Sequence, residues 1–201
     1  MQQIARYGWT DHAPHTGAYL HRAVIDMVRS AAPRTVLDAG CGNGVLASSL
    51  AACGFAVTGM DGDAGGIEIA SRKFPGIRFK VGNFADAPAE TFDCVVSTEV
   101  IEHLYAPHEL VRYCWDALKP GGTLVISTPY HGYLKNLVFG LLGAWDRHFT
   151  VSWHGGHIKF WSRATLTAAL ERQGFRVTKF AGVGRLPWLW KSMVLAAVKS
   201  D

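Results

Sequence analysis

The sequence has no uncharged run near the roughly 20 apolar residues that a membrane-spanning helix requires. Its opening residues, MQQIARYGWTDHAPH, also lack the apolar core of a secretory signal. Neither a leader nor a transmembrane helix is therefore expected. The four cysteines, Cys41, Cys53, Cys94 and Cys114, include no CxxC pair, which removes the commonest zinc and redox motifs and suits reduced thiols in the cytoplasm. Lys and Arg are scattered rather than blocked, and the formal net charge is only +4. Such a distribution argues against a nucleic-acid partner and leaves a weak attraction to anionic surfaces. Internal repeats and low-complexity tracts are absent as well.

What is present suits a single soluble domain spanning residues 1–201, with 49% apolar and 18% charged residues. Short runs rich in Val, Ile and Phe alternate with longer helical patterns, the arrangement of βα units in a mostly parallel sheet. Seven strands are predicted, near 35–39, 56–61, 77–81, 92–97, 123–128, 175–183 and 193–199. Helices are predicted at about 19–30, 44–52, 65–73, 106–118 and 163–173. The first helix precedes every strand, so residues 1–30 read as an N-terminal helical lid. Gly174 stands where a left-handed cap would end the last helix. An aromatic and histidine-rich segment, residues 131–161, interrupts the alternation and reads as an insertion over a substrate site.

The first predicted strand runs into DAGCGNG, where Gly40, Gly42 and Gly44 would let backbone approach a ligand while unpaired N–H groups of the next helix point at the same place. The dinucleotide fingerprint G-x-G-x-x-G would need its third glycine at Val45. Asp38, just before the turn, is ill placed beside a pyrophosphate and better placed beside an ammonium or sulfonium. Asp61 closes the second strand, where a carboxylate can accept both hydroxyl protons of a ribose. After the third strand Asn83 could recognise an adenine amino group and Phe84 could lie against the base. After the fourth, Thr98 and Glu99 would close the other side.

The stretches VLDAGCGNG, VTGMD, FDCVVSTEVIEH and LKPGGTLVISTP, in this order and spacing, resemble the successive motifs of class I S-adenosylmethionine-dependent methyltransferases, and within them the ubiquinone-biosynthesis O-methyltransferase group. The resemblance covers roughly Thr35 to Pro129 closely and continues in HIKFWSRATLTAALERQGF. It implies a Rossmann-like α/β fold, a seven-stranded sheet with helices on both faces. The cofactor it implies is S-adenosylmethionine, with S-adenosylhomocysteine as product. By the same resemblance Gly40, Gly42 and Gly44 approach the methionine part, Asp38 meets its amino group, Asp61 holds the ribose, Gly62, Asn83 and Phe84 surround the adenine, and Thr98 lies beneath. Asn83 stands where many relatives carry Asp, so the adenine would be held without charge assistance.

Methyl transfer from a sulfonium is an in-line displacement that gains chiefly from positioning, and a base is needed only where the acceptor keeps its proton. EVIEH supplies Glu99, Glu102 and His103, with His103 as the first candidate for that base and Glu102 beside it. The same trio could instead hold a divalent cation on an acceptor oxygen. His148, His154 and His157 invite a zinc reading, but without a cysteine pair no metal is assigned. His157, Lys159 and Phe160 are expected to line the acceptor pocket. The run NLVFGLLGAW lies within 134–149, where a helix could rest in a membrane interface or pack as a lid. The resembling group carries an apolar insertion here, which implies a small-molecule or lipid acceptor and a peripheral contact at the inner face of a membrane. A non-catalytic S-adenosylmethionine-binding module is the alternative class. The sequence sets no oligomeric state.

Overall fold

Helices cover both faces of the central sheet, so its strands need apolar side chains in succession rather than in alternation, which is what the short Val- and Leu-rich runs provide. The computed structural model describes residues 8–145, 149 and 155–200. In it β1 (Thr35–Ala39), β4 (Phe92–Thr98) and β7 (Ser192–Lys199) are buried along most of their length. With β2 (Ala56–Asp61), β3 (Arg78–Val81), β5 (Leu118–Pro129) and β6 (Phe175–Val183) they form one sheet in the order β3-β2-β1-β4-β5-β7-β6. β1 to β5 pair in parallel, while β7 runs antiparallel to both β5 and β6. The expected seven-stranded, mostly parallel Rossmann-like sheet is therefore the observed one. From β1 the chain first builds outward through β2 and β3, then returns to place β4 on the other side. That reversal opens a crevice at the carboxyl ends of β1 and β4.

The pleat sends successive residues to opposite cores. Leu37 and Val95 join Leu110 and Cys114 of α4 (Pro107–Ala117) and Leu166 and Leu170 of α6 (Arg163–Arg172). Val36 and Val96 turn the other way, toward Leu20, Val24 and Val28 of α1 (Gly17–Ala31) and Leu46 and Leu50 of α2 (Val45–Ala52). The helix α1 is thus a core helix, and both residues 8–16 before it and its own Tyr19, Leu20 and His21 line the cavity described below. A side-chain cap from Asp63 to Gly65 N–H opens α3 (Ala64–Lys73). Ser162 and Thr165 form a reciprocal capping box at the start of α6, and Gly174 follows that helix at φ +106°.

Two boundaries differ from the sequence expectation. β5 begins at Leu118 rather than Thr123, because Leu118 pairs with Phe92 before KPGG loops out and the ladder resumes at Cys94 and Thr123. The apolar insertion helix, α5, spans Tyr133–Leu141, earlier than the uncharged run alone suggests. The four cysteines are free, as their spacing implied.

At the opposite end of the sheet Asp93 ties three strands together. Its carboxylate accepts from the N–H groups of Arg34 (3.0 Å) and Thr35 (2.9 Å), from the Thr35 hydroxyl (3.0 Å) and from Lys119 Nζ (2.7 Å). The Lys119 bond, followed by the Thr35 amide, holds this carboxyl well below the usual range. A depressed folded-state value stabilises above the unfolded value and is lost as pH falls through the folded one. Asp93→Asn should lower the unfolding free energy in urea by about 1–3 kcal/mol at neutral pH. The gap between wild type and variant should narrow below about pH 4.

Candidate active site

The turn after β1 is bound to the end of β2. Gly40 and Cys41 N–H groups donate to the Met60 carbonyl at 2.7 and 3.0 Å. The Gly42 N–H donates to Asp61 Oδ2 and the Asp63 N–H to Oδ1, each at 2.8 Å. Asp61 is therefore a buried clamp on the loop, and each of its oxygens keeps a lone pair for another donor. Burial raises its carboxyl above the ordinary value against the pull of these N–H groups. Gly40 sits at φ +87°, and a Cβ there would come within 2.4 Å of Val100 Cγ2. At Gly42 a Cβ would come within 2.4 Å of the Trp9 ring. The turn is glycine-rich so that Val100 and Trp9, which themselves line the cavity, can close on it. Gly40 lines the cavity in front, and Gly42 and Gly44 do not.

That cavity, about 1310 Å³, lies over the carboxyl ends of the strands. It exceeds the roughly 300–1,000 Å³ of a pocket for one small ligand, so it has room for a cofactor and an acceptor. Asp38 and Asp61 line it, with Gly62, Asn83 and Phe84 on the β2 and β3 side and Thr98 and Glu99 after β4. Asp38 is fully buried, and among the described residues neither carboxylate oxygen has a partner within hydrogen-bond geometry. Burial, then the charge of Asp61, pushes its carboxyl up to about 7, while the Ala47 N–H in the first turn of α2 pulls the other way. An orphaned acid facing a cavity fits a cationic ligand group such as the ammonium of a methionine moiety, because an uncompensated buried charge costs several kcal/mol. Asn83 is exposed, and its side-chain oxygen accepts from the Ala85 N–H at 3.1 Å, which leaves one lone pair for an adenine amino group. Phe84 meets Tyr113 edge-on at 5.5 Å.

Residues 8–16 cover the loop through contacts that sequence reasoning did not find. The side chain of buried Asn43 donates to the carbonyls of Thr10 and His12, both at 2.8 Å. Asp11 pairs with Arg72 of α3 at 2.8 Å. Trp9 lies against both Gly42 and Gly66. The local signal was the Asn inside GCGNG, whose amide can span two carbonyls of another segment.

The β4 end is acidic and buried. Glu99 adopts φ +54°, and its carboxylate accepts from Ser127 Oγ at 2.8 Å and Ser192 Oγ at 2.9 Å. Burial pushes it up to about 7 against those hydroxyls and the charge of Lys135. Glu102 lies behind the cavity wall, fully buried, and accepts from Thr128 Oγ1 at 3.0 Å. Burial and the charge of Glu99 keep it well above the carboxylate range. His103 lines the cavity, with Nδ1 3.3 Å from the Gly156 carbonyl and Nε2 3.8 Å from Glu102 Oε1. Burial lowers its imidazole below the ordinary value. A neutral ring that donates from Nδ1 leaves Nε2 able to take a proton.

The insertion reaches this end through its backbone. Ile158 and Lys159 N–H groups donate to the Glu102 carbonyl at 2.9 and 3.0 Å, which brings the His157 ring to 4.9 Å from His103. His157 lines the cavity. Lys159 and Phe160 lie outside its wall, Phe160 packing on His131 at 5.1 Å and Phe149 at 4.9 Å. Ligand atoms of Glu102, His103 and His157 lie within 4.8 Å of one another, a group that could hold a metal ion. His157 takes the place in it that the sequence reading gave to Glu99. His148 and His154 fall outside the described residues.

A deep cavity with buried acids at the ends of β1 and β2, placed where a doubly wound sheet reverses its winding, is the arrangement of the nucleoside-binding class of such folds. Residues 15–179 match a family model described as a methyltransferase domain. The chain is 34% identical over 174 residues to the mitochondrial ubiquinone biosynthesis O-methyltransferase of Mus musculus, covering 77% of this chain and 46% of that one. It is 32% identical over 154 residues to a Mycolicibacterium smegmatis protein named "Probable S-adenosylmethionine-dependent methyltransferase", covering 76% and 56%. The chain thus spans about half the length of these relatives. In fold it matches magnesium protoporphyrin IX methyltransferase from Synechocystis, solved with bound S-adenosylhomocysteine, at a TM-score of 0.71 and 19% identity over 90% of this chain and 82% of that one. The protein belongs to the class I S-adenosylmethionine-dependent methyltransferases.

Because the Asp38 carboxyl is raised, its ionisation weakens the ligand-free fold as pH climbs from about 4 through about 7. A ligand ammonium relieves that penalty. S-adenosylhomocysteine should therefore raise the melting temperature more at about pH 8 than at about pH 5.5. Asp38→Asn should shrink the difference, and thermal shift at the two pH values reads it directly.

Proposed function

We propose that the protein methylates an oxygen of a small or lipid-like acceptor, with His103 as the general base. The observation that carries this reading is the arrangement of one cavity. It joins the unpartnered Asp38 and the Asp61 clamp to a neutral-leaning imidazole at the β4 end. When bound, S-adenosylmethionine supplies an electrophilic methyl group on a sulfonium. Asp38 would hold the ammonium, Asp61 the ribose hydroxyls, and Asn83 with Phe84 the adenine. Residues 8–16 would shut water out from above. His103 Nε2 would take the acceptor's proton, and Glu102, whose Oε1 lies 3.8 Å from that nitrogen, would orient the ring. Oxygen as the methylated atom is supported by the O-methyltransferase names of the similar proteins.

A lipid-like acceptor is supported by the surface around the cavity. Leu134, Leu137 and Leu141 of α5 and Leu186 and Trp188 of the β6–β7 loop are exposed large apolar side chains. No helix of the described residues is long and apolar enough to cross a membrane. We read α5 as a peripheral membrane contact within 134–149, at the inner face of a membrane. Replacing Leu134, Leu137 and Leu141 with polar residues should abolish liposome flotation while leaving S-adenosylhomocysteine binding unchanged.

The Glu102, His103 and His157 group favours a second reading of the β4 end, in which a divalent cation binds the acceptor oxygen and takes over the role of the base. Protein incubated with methyl-labelled S-adenosylmethionine and a cell lipid extract should transfer label to an extractable product. A non-catalytic binding module would transfer none. With that product as assay, His103→Gln should lower kcat by about 10²–10⁴-fold. It should also erase the acid limb, which falls below the ordinary imidazole value because burial lowers the His103 pKa. Loss of transfer on chelation and its return with Mg²⁺ or Zn²⁺ would select the cation reading instead.

A further inference from the structure

The cavity is electrostatically two-ended, and the proposed acceptor reading leaves one end unused. Asp38 and Asp61 occupy the side over β1 and β2. On the far side, over β5 and β7, three cations line the same cavity: Lys135 from the first turn of α5, Arg185 from the β6–β7 loop and Lys191 just before β7. Some 50 residues of chain separate Lys135 from the other two, so the tertiary fold alone assembles them.

Lys135 is 2% exposed, yet its ammonium donates to nothing stronger than the Lys191 carbonyl at 3.3 Å, with the Phe139 ring centre 5.6 Å away. The Lys191 ammonium stands 5.0 Å from the Tyr19 ring centre. Among the described residues no carboxylate lies within 4.0 Å of Lys135, Arg185 or Lys191. Glu99 faces Lys135 from β4 and attracts it, but its two oxygens are engaged by Ser127 and Ser192. Burial, then the like charge of Arg185, lowers the Lys135 ammonium to about 8. A cation withdrawn from water and facing only a carboxyl that is itself raised and engaged elsewhere is poorly compensated, and carboxylates and phosphates are its strongest partners.

We propose that the acceptor is an anion whose carboxylate or phosphate group seats at this basic pole, between Lys135, Arg185 and Lys191. The inference rests on the methyltransferase reading for the word acceptor, but not for the anion site itself. It assigns the pole to the acceptor and not to the cofactor, because the Asp38 and Asp61 side of the sheet is where the nucleoside acids lie. An anchored anion would also fix the distance between the charged group and the oxygen presented to His103, so the pole would select acceptors by length.

The test uses the full chain saturated with S-adenosylhomocysteine and two fluorescent probes on one aromatic frame. One is 8-anilinonaphthalene-1-sulfonate, an anion, and the other N-phenyl-1-naphthylamine, which is neutral. In Lys135→Met/Arg185→Gln the anionic probe should weaken by about tenfold or more, while the neutral probe stays within about twofold. The single variant Arg185→Gln, at an exposed loop position, should show a smaller loss of the same kind and guards against misfolding of the double variant. Equal weakening of both probes, or no weakening of the anionic one, overturns the proposal. So does a parallel loss of S-adenosylhomocysteine affinity, which would give the cations to the cofactor. If wild type fails to bind S-adenosylhomocysteine yet keeps the probe discrimination, the cofactor reading falls and the anion site stands. Displacement of the dye by laurate ahead of dodecyl phosphate assigns a carboxylate, and the reverse order a phosphate. Displacement by neither overturns the site.

Discussion

A buried carboxylate without a partner governs this molecule. Asp38 stands in β1 among apolar neighbours, fully buried at the cavity, and among the described residues its oxygens accept no hydrogen bond, the Ala47 N–H pulling on them from outside hydrogen-bond geometry. Its neighbour Asp61 does the opposite work with the same group: two N–H donors hold it, and through it the glycine turn is locked to the end of β2. One acid therefore shapes the loop and the other faces the cavity. Most other features of the site follow from keeping this pair dry. Asn43, Trp9 and the residues around them close the loop from above, and Val100 closes it from the β4 side.

Burial of this kind arises because a parallel sheet reverses its winding where β1 meets β4, leaving a crevice at the strand ends. The same topology spaces the chemistry along the strand order. Buried acids lie over β1 and β2, a neutral-leaning imidazole and two raised carboxyls follow at β4, and three cations stand over β5 and β7. Each group would be solvated and unremarkable on an open surface. Within one cavity they set acids at one end and cations at the other.

Much of the fold was legible because its determinants are local. Val36-Leu37, Val95-Val96 and the Val- and Ala-rich end of β7 read as buried strands from composition alone, and their pleat divides them between two cores. The start of β5 was not legible, since Leu118 joins the sheet by pairing with Phe92, a partner 26 positions away, across the KPGG loop. The core role of α1 was not legible for a related reason. Its apolar stripe of Leu20, Val24 and Val28 suits a core helix as well as a cover, and only the packing against β5, β6 and β7 shows the former.

Within the site, Asp38, Gly40, Asp61, Gly62, Asn83, Phe84, Thr98, Glu99 and His103 reach the cavity because each sits at or just past a strand end, a place that sequence periodicity locates. Gly42 and Gly44 stand behind it, Glu102 beneath it, and Lys159 and Phe160 beyond its wall, since a residue's side of a loop depends on what packs there. By itself the sequence determined the strands, their acid-tipped ends and the glycine turn between them, because apolar runs, turn residues and strand termini are properties of a few consecutive positions. The tertiary structure alone decided that Asn43 would fasten residues 8–16, that His157 would meet His103, and that Lys135, Arg185 and Lys191 would share one pole. Those meetings join segments far apart in the chain, and no local pattern encodes the distance between them.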